Sequence, residues 1–117
     1  MPGIFELKRT NNGQFMFNLR AGNGEIILTS PRYKTKEYAE AAIGSVRANA
    51  PLDARYDRRT ANPGEPYFVL KTGGGEALGR SELYSSGQAL ENGIASVQRN
   101  APDAHVRDLS VGLAGAR

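Results

Sequence analysis

The sequence predicts an α+β fold made of two tandem β-β-β-α-β repeats with pseudo-twofold symmetry. They share one antiparallel sheet and pack two helices on one face. Three observations predict it. Shifting the chain by 51 residues lays 15–57 on 66–108 without a gap, so that Phe17, Leu19, Gly22, Gly24, Glu25 and Ser30 recur as Phe68, Leu70, Gly73, Gly75, Glu76 and Ser81. Each copy alternates apolar and polar residues before a glycine-rich turn, the period of a half-buried strand. Each then changes to a helical period that stops at Asn-Ala-Pro. A repeat of this length is one supersecondary unit that cannot bury its apolar face alone. With no cysteine to staple either copy, the two complete each other. We therefore expect one compact domain over 1–117, with repeat 1 at 1–58, repeat 2 at 59–110 and a frayed tail at 111–117.

The elements follow in order. Residues 3–9 form a strand carrying Ile4, Phe5 and Leu7, and Asn11-Asn12-Gly13 marks a turn. Phe15, Phe17 and Leu19 then alternate with Met16, Asn18 and Arg20. Gly22-Asn23-Gly24 and Gly73-Gly74-Gly75 are hairpin loops, because glycine and asparagine tolerate positive φ. A three-residue loop sets the register of the third strands, 25–29 and 76–80, with Ile27 opposite Leu19 and Leu78 opposite Leu70. Thr35 and Ser86 are the helix N-caps. Ala39, Ile43, Val46 and Ala50 share one helix face, as do Leu90, Ile94, Val97 and Ala101. Pro51 and Pro102 end the helices. Extended segments follow at 54–60 and 104–110, the first also able to open the second repeat. It is weakly apolar, so it belongs at an edge or seam. Residues 61–66 form an exposed loop.

These residues resemble a known family. The run Phe17 to Leu28 with Gly24-Glu25, then Ser30, Tyr33 and the helix end Ser45-Val46-Arg47-Ala48-Asn49-Ala50, is similar to the YegP-like family (DUF1508, UPF0339). The second copy, from Leu70-Lys71 through Glu91-Asn92-Gly93-Ile94 to Asn100-Ala101, resembles it more closely. The resemblance implies a β3-α-β unit, joined in tandem or as a homodimer of single-repeat chains, with the final strands exchanged. It implies no activity, cofactor or catalytic residue. The sequence departs from the pattern at Leu83, where the first copy has Arg32, and in the bare glycines of its second loop.

Little in the sequence carries chemistry. His105 is the single histidine, and Asp103 and Asp108 beside it on a strand make neither a triad nor a metal site. Glu25 and Glu76 could in principle hold a divalent cation or share a proton, and read more simply as loop-closing contacts. Gly73-Gly74-Gly75 precedes a strand, whereas phosphate loops aim a helix N-terminus at the ligand. Tyr33 and Tyr84 read as buried rings with wet hydroxyls at the strand-to-helix corner, and Ser30 and Ser81 as local backbone partners. No catalytic, cofactor-binding or metal-binding residue is assigned, and the chain is read as a non-enzyme. A net charge of +3 and a pI of about 9.4 are mildly basic. No apolar run reaches membrane-spanning length and no signal-peptide pattern is visible, so the expected setting is cytoplasmic, with no membrane partner.

The candidate binding surface is the sheet face opposite the helices. Met16, Asn18 and Arg20 point there from one copy and Tyr67, Val69 and Lys71 from the other. Arg55, Tyr56, Arg58 and Arg59 form a second basic and aromatic patch. The leading reading is a protein-interaction module that uses this face or a sheet edge to hold an unknown protein partner. The alternative is a weak, salt-sensitive nucleic-acid binder. A small-ligand binder or enzyme at the repeat interface ranks third, because no nucleophile–base pair is visible. Tandem fusion predicts a monomer that mimics a dimer of single-repeat chains.

Overall fold

The computed structural model describes residues 3–111. Strands β1 (Ile4–Arg9), β2 (Phe15–Arg20) and β3 (Ile26–Thr29) lead into helix α1 (Lys36–Asn49). Strands β4 (Tyr56–Thr60), β5 (Pro66–Lys71) and β6 (Ala77–Arg80) lead into helix α2 (Gly87–Asn100), and β7 (His105–Asp108) follows. The seven strands form one sheet in the order β4-β5-β6-β3-β2-β1-β7. The last strand of each repeat thus joins the other repeat, as expected. The repeats meet at β3 and β6 through the antiparallel pair Thr29 and Arg80.

One pair departs from the expected antiparallel sheet: β7 runs parallel to β1, with Ile4 beside His105 and Leu7 beside Asp108. The cause lies at the end of α2. A Cβ on Gly3 would come within 2.9 Å of the Asn100 Cβ, so α2 ends beside the start of β1. The chain leaving it can only run along β1 in the same direction. At the opposite edge β4 serves both copies. Tyr56 stands 51 residues after Phe5 and pairs with Leu70 as Phe5 pairs with Leu19. The seam lies between β3 and β6, and β4 is an edge strand, carrying Asp57, Arg58 and Arg59. Charge on an edge discourages pairing with another chain.

The hairpins have the expected three-residue loops, closed by Ala21 N–H to Glu25 O and Thr72 N–H to Glu76 O. Gly24 (φ 90°) and Gly75 (φ 94°) adopt the left-handed conformation that such a loop demands. The register beyond them differs by one residue from the expectation. Leu19 pairs with Leu28 and Leu70 with Gly79, because a β-bulge follows Arg20 with Ile26 and Lys71 with Ala77. The bulge inserts Ile27 and Leu78 as extra residues. Both still reach the core, exposed by 5% each. At the seam a Cβ on Gly79 would lie 2.7 Å from Leu28 Cγ, so Leu28 fills the place that its own counterpart leaves empty.

Both helices bury the faces read from their periodicity: Ala39, Ile43, Val46 and Ala50, and Leu90, Ile94, Val97 and Ala101. The Thr35 and Ser86 hydroxyls accept from the Tyr38 and Ala89 N–H groups. Asn49 and Asn100 donate to the Ser45 and Ser96 carbonyls, which explains why the helix ends recur. Phe5 meets Phe17 edge to face at 5.8 Å, and Tyr56 meets Phe68 likewise at 5.5 Å. Arg47 of α1 donates to Ala104 O and Lys36 pairs with Asp108, tying the exchanged strand down. The tail expected at 111–117 lies outside the described residues beyond Val111.

The open sheet face as candidate site

Alternation sends Phe5, Phe17, Leu19, Phe68 and Leu70 toward the helices and leaves the intervening residues on the open face. Met16, Arg20, Tyr67 and Lys71 are half-buried there. Asn18 and Val69 are 5% and 7% exposed. They lie in the middle of the sheet, where side chains of neighbouring strands cover them, so they support the surface rather than present it. Asn18 donates to the Thr29 hydroxyl across to β3.

The second patch does not exist as one surface. Consecutive strand residues point to opposite faces, and this divides it. Tyr56 is buried, with its hydroxyl donating to Ala50 O at 2.7 Å, and burial pushes its phenol far above the usual range, aided by Asp53. Arg58 lies on the helix side, clamped on Glu91 at 2.7 Å and Asp53 at 3.0 Å. Arg55 donates to Asn49 beside Gly73. Only Arg59 joins the open face, where it binds Asp57.

Two ionic clusters related by the repeat organise that face. In the first, Glu6 accepts from Arg20 Nε at 2.7 Å and lies 3.9 Å from Lys8 and 3.6 Å from Arg107. In the second, Asp57 meets Arg59 at 2.8 Å and Lys71 at 3.1 Å. Hydrogen bonds from Lys71 and Arg59 hold the Asp57 carboxyl below the usual carboxylate range. Arg80 lies over the Tyr67 ring at 4.8 Å. Among the described residues the face therefore sets six cations, Lys8, Arg20, Arg59, Lys71, Arg80 and Arg107, against two carboxylates, Glu6 and Asp57. The sequence reading missed Glu6, Lys8, Arg80 and Arg107. Extending the 51-residue shift backward, which lays Glu6 on Asp57 and Lys8 on Arg59, would have found the first two.

The other recurrent residues lie in the turns and at the strand ends. Ser30 and Ser81 accept from the Phe17 and Phe68 N–H groups and donate to the Pro31 and Glu82 carbonyls. They clamp β2 and β5 as well as their own turns. Tyr33 and Tyr84 stack on Phe17 and Phe68, and burial raises both phenols, with Glu76 adding to the first and Glu82 and Glu25 to the second. Glu25 lines a cleft with Tyr84, and Glu76 lines its twin with Tyr33, each carboxylate facing the other repeat. His105 is exposed on β7. Among the described residues no group of three or more His, Cys, Asp or Glu could hold a metal ion, and no helix is long and apolar enough to cross a membrane.

Comparison with known proteins places this architecture. A family model described as a domain of unknown function, DUF1508, matches twice, over residues 10–57 and 61–108. A UPF0339 protein of Bordetella pertussis is 56% identical over 92% of this chain and 96% of its own length. The UPF0339 protein YegP of Escherichia coli K12 is 46% identical over 92% and 98%. Two solution NMR structures superimpose with TM-scores of 0.89. One is of a UPF0339 protein from Shewanella oneidensis, at 44% identity over 95% of this chain and 94% of that one. The other is of yegP from E. coli, at 45% identity over 94% and 95%. None of these names states an activity.

Proposed function

This chain belongs to the DUF1508 (UPF0339, YegP-like) family in its tandem form, and from that premise we propose that it is a non-enzymatic binding module whose open sheet face docks an acidic protein surface. The observation that carries the reading is the collection, among the described residues, of six cations and two carboxylates on the face opposite the helices, against a net charge of +3 for the whole chain. Charge concentrated on one face steers partners of opposite sign. Glu6 and Asp57 interleave with the cations, and a mixed pattern suits a protein surface better than a run of phosphates. Single-stranded nucleic acid asks for aromatic platforms, and the one ring here, Tyr67, already carries Arg80. Nucleic-acid binding is the second reading, favoured by Arg80 itself, which is exposed and makes no ion pair among the described residues.

The module acts as a monomer, with the two repeats supplying each other's last strand. Amide NMR separates the readings. The labelled protein is titrated with an Asp/Glu-rich peptide and with a mixed single-stranded oligonucleotide, at low and at physiological salt. Shifts at Met16, Arg20, Tyr67 and Lys71 that saturate with the peptide at physiological salt, with the oligonucleotide silent there, support the protein reading. The reverse pattern replaces it with the nucleic-acid reading, and silence from both probes at low salt refutes the face as a site for anions.

A further inference from the structure

We infer that the cavity at the seam of the two repeats binds a small organic anion, a carboxylate or phosphate monoester carried on a flat or apolar body. The cavity has a volume of about 350 Å³, within the range of small-molecule sites. Its chemistry is divided as such a ligand requires. Val69, Ala77 and Pro31 give an apolar floor, while Arg80, Arg59 and Thr29 line the remainder. The Arg80 guanidinium lies over the Tyr67 ring at 4.8 Å to its centroid, a cation–π contact that restricts the side chain before a ligand arrives. Arg59 shares its charge with Asp57, but Asp57 also meets Lys71, and the site keeps an excess of positive charge. The Thr29 hydroxyl accepts from Asn18, which leaves its proton to donate. Ser30 is spent on backbone partners at both ends and serves only as wall.

The fold does not require these residues. Under the 51-residue shift Arg80, Tyr67, Val69 and Ala77 correspond to Thr29, Met16, Asn18 and Ile26. The first repeat builds the same strands with the same register and bulge from those side chains. A guanidinium on an aromatic ring beside a small residue is therefore a feature of the second repeat that strand pairing does not explain. Its meaning is found in the cavity, where Arg80 supplies charge, Tyr67 supplies a wall and Ala77 supplies room.

The site shares Arg59, Arg80 and Tyr67 with the face read as docking an acidic partner, so small anions rather than a peptide test it. Amide spectra are recorded while benzoate, phenyl phosphate and benzylamine are each added to the wild type, Arg80→Gln and Ala77→Ile. Both variants alter exposed side chains, and Ala77→Ile copies what the first repeat carries at Ile26. The expected result is saturable shifts at Thr29, Val69, Ala77, Gly79 and Arg80 with at least one anion and none with benzylamine. Binding should weaken by about tenfold or more in each variant, as loss of an oriented ionic contact or of the cavity itself requires. Whichever anion binds more tightly identifies the oxyanion. No saturation by about 10 mM of either anion, beyond the weak end of specific binding, overturns the inference. So does equal binding of benzylamine, or binding that Ala77→Ile leaves unchanged.

Discussion

Replacing Glu6 by Gln should lower folding stability by about 2 kcal/mol, a loss set by burial and by a charge-assisted hydrogen bond. The equivalent Asp57→Asn should lower it far less. The two carboxylates occupy corresponding places in the repeats and face corresponding cations, Arg20 with Lys71 and Lys8 with Arg59, while Glu6 also meets Arg107 and is the more buried. The Glu6 side chain is 9% exposed and accepts from Arg20 Nε at 2.7 Å. A buried charge-assisted hydrogen bond of this kind contributes roughly 1.5–3 kcal/mol. The upper end applies when the abandoned cation stays buried, and the Arg20 and Arg107 side chains are 36% and 57% exposed, so water recovers part of the loss. Asp57 lies on the edge strand with 38% of its side chain exposed, where ion pairs contribute little. Urea unfolding of the wild type and both variants, followed by circular dichroism, measures the difference. A Glu6→Gln loss below about 0.5 kcal/mol, the usual spread for surface changes, would refute the reasoning. A loss in Asp57→Asn as large as that in Glu6→Gln would do so equally.

Three further outcomes follow from the packing and the charges. Ile43→Ala and Ile94→Ala each remove a side chain exposed by 2% or less and should each cost about 2–5 kcal/mol in the same unfolding assay. Gly79→Ala should cost roughly 1–3 kcal/mol by overpacking Leu28, and combined with Leu28→Ala the pair should cost less than the sum of the two singles, since one substitution makes room for the other. The acid limb of stability is set by depressed carboxylates. The Arg58 hydrogen bond holds Glu91 low, and at Asp108 burial pushes upward but hydrogen bonds from Lys36 and Ser110 outweigh it. Each folded value lies below the unfolded one near 4, so this stabilisation is complete above about pH 5 and is lost as pH falls through the folded values. Glu91→Gln should therefore flatten part of the decline in urea midpoint below about pH 4, and an unchanged slope would remove Glu91 from the account.

Much of the fold was legible because local chemistry specifies it. Phe17 and Leu19 alternate with Asn18 and Arg20, Gly24 and Gly75 permit the loop conformation, and Thr35 and Ser86 can cap whichever helix follows them. The bulge was not legible, since a three-residue loop fits either register and the choice falls to Leu28 and Gly79, which meet at the seam. Tyr56 looked like a surface aromatic among arginines until β5 placed it opposite Leu70, in the position that Phe5 holds in the first repeat. The candidate site was half legible: Arg20, Tyr67, Lys71 and Arg59 reach the open face, whereas Asn18 and Val69 are covered there and Arg55, Tyr56 and Arg58 lie elsewhere.

By itself the sequence determined the repeat, its strands and helices and the buried helix faces, because those depend on residues a few positions apart. Only the tertiary structure decided that β3 would lie against β6 and that the exchanged β7 would run parallel along β1. Those pairings join residues distant in the chain, and they bring Thr29 beside Arg80 and Arg107 beside Glu6. The charge of the open face and the cavity at its seam both arise from them, since strand order is settled by which edges remain unpaired once each repeat has folded on the other.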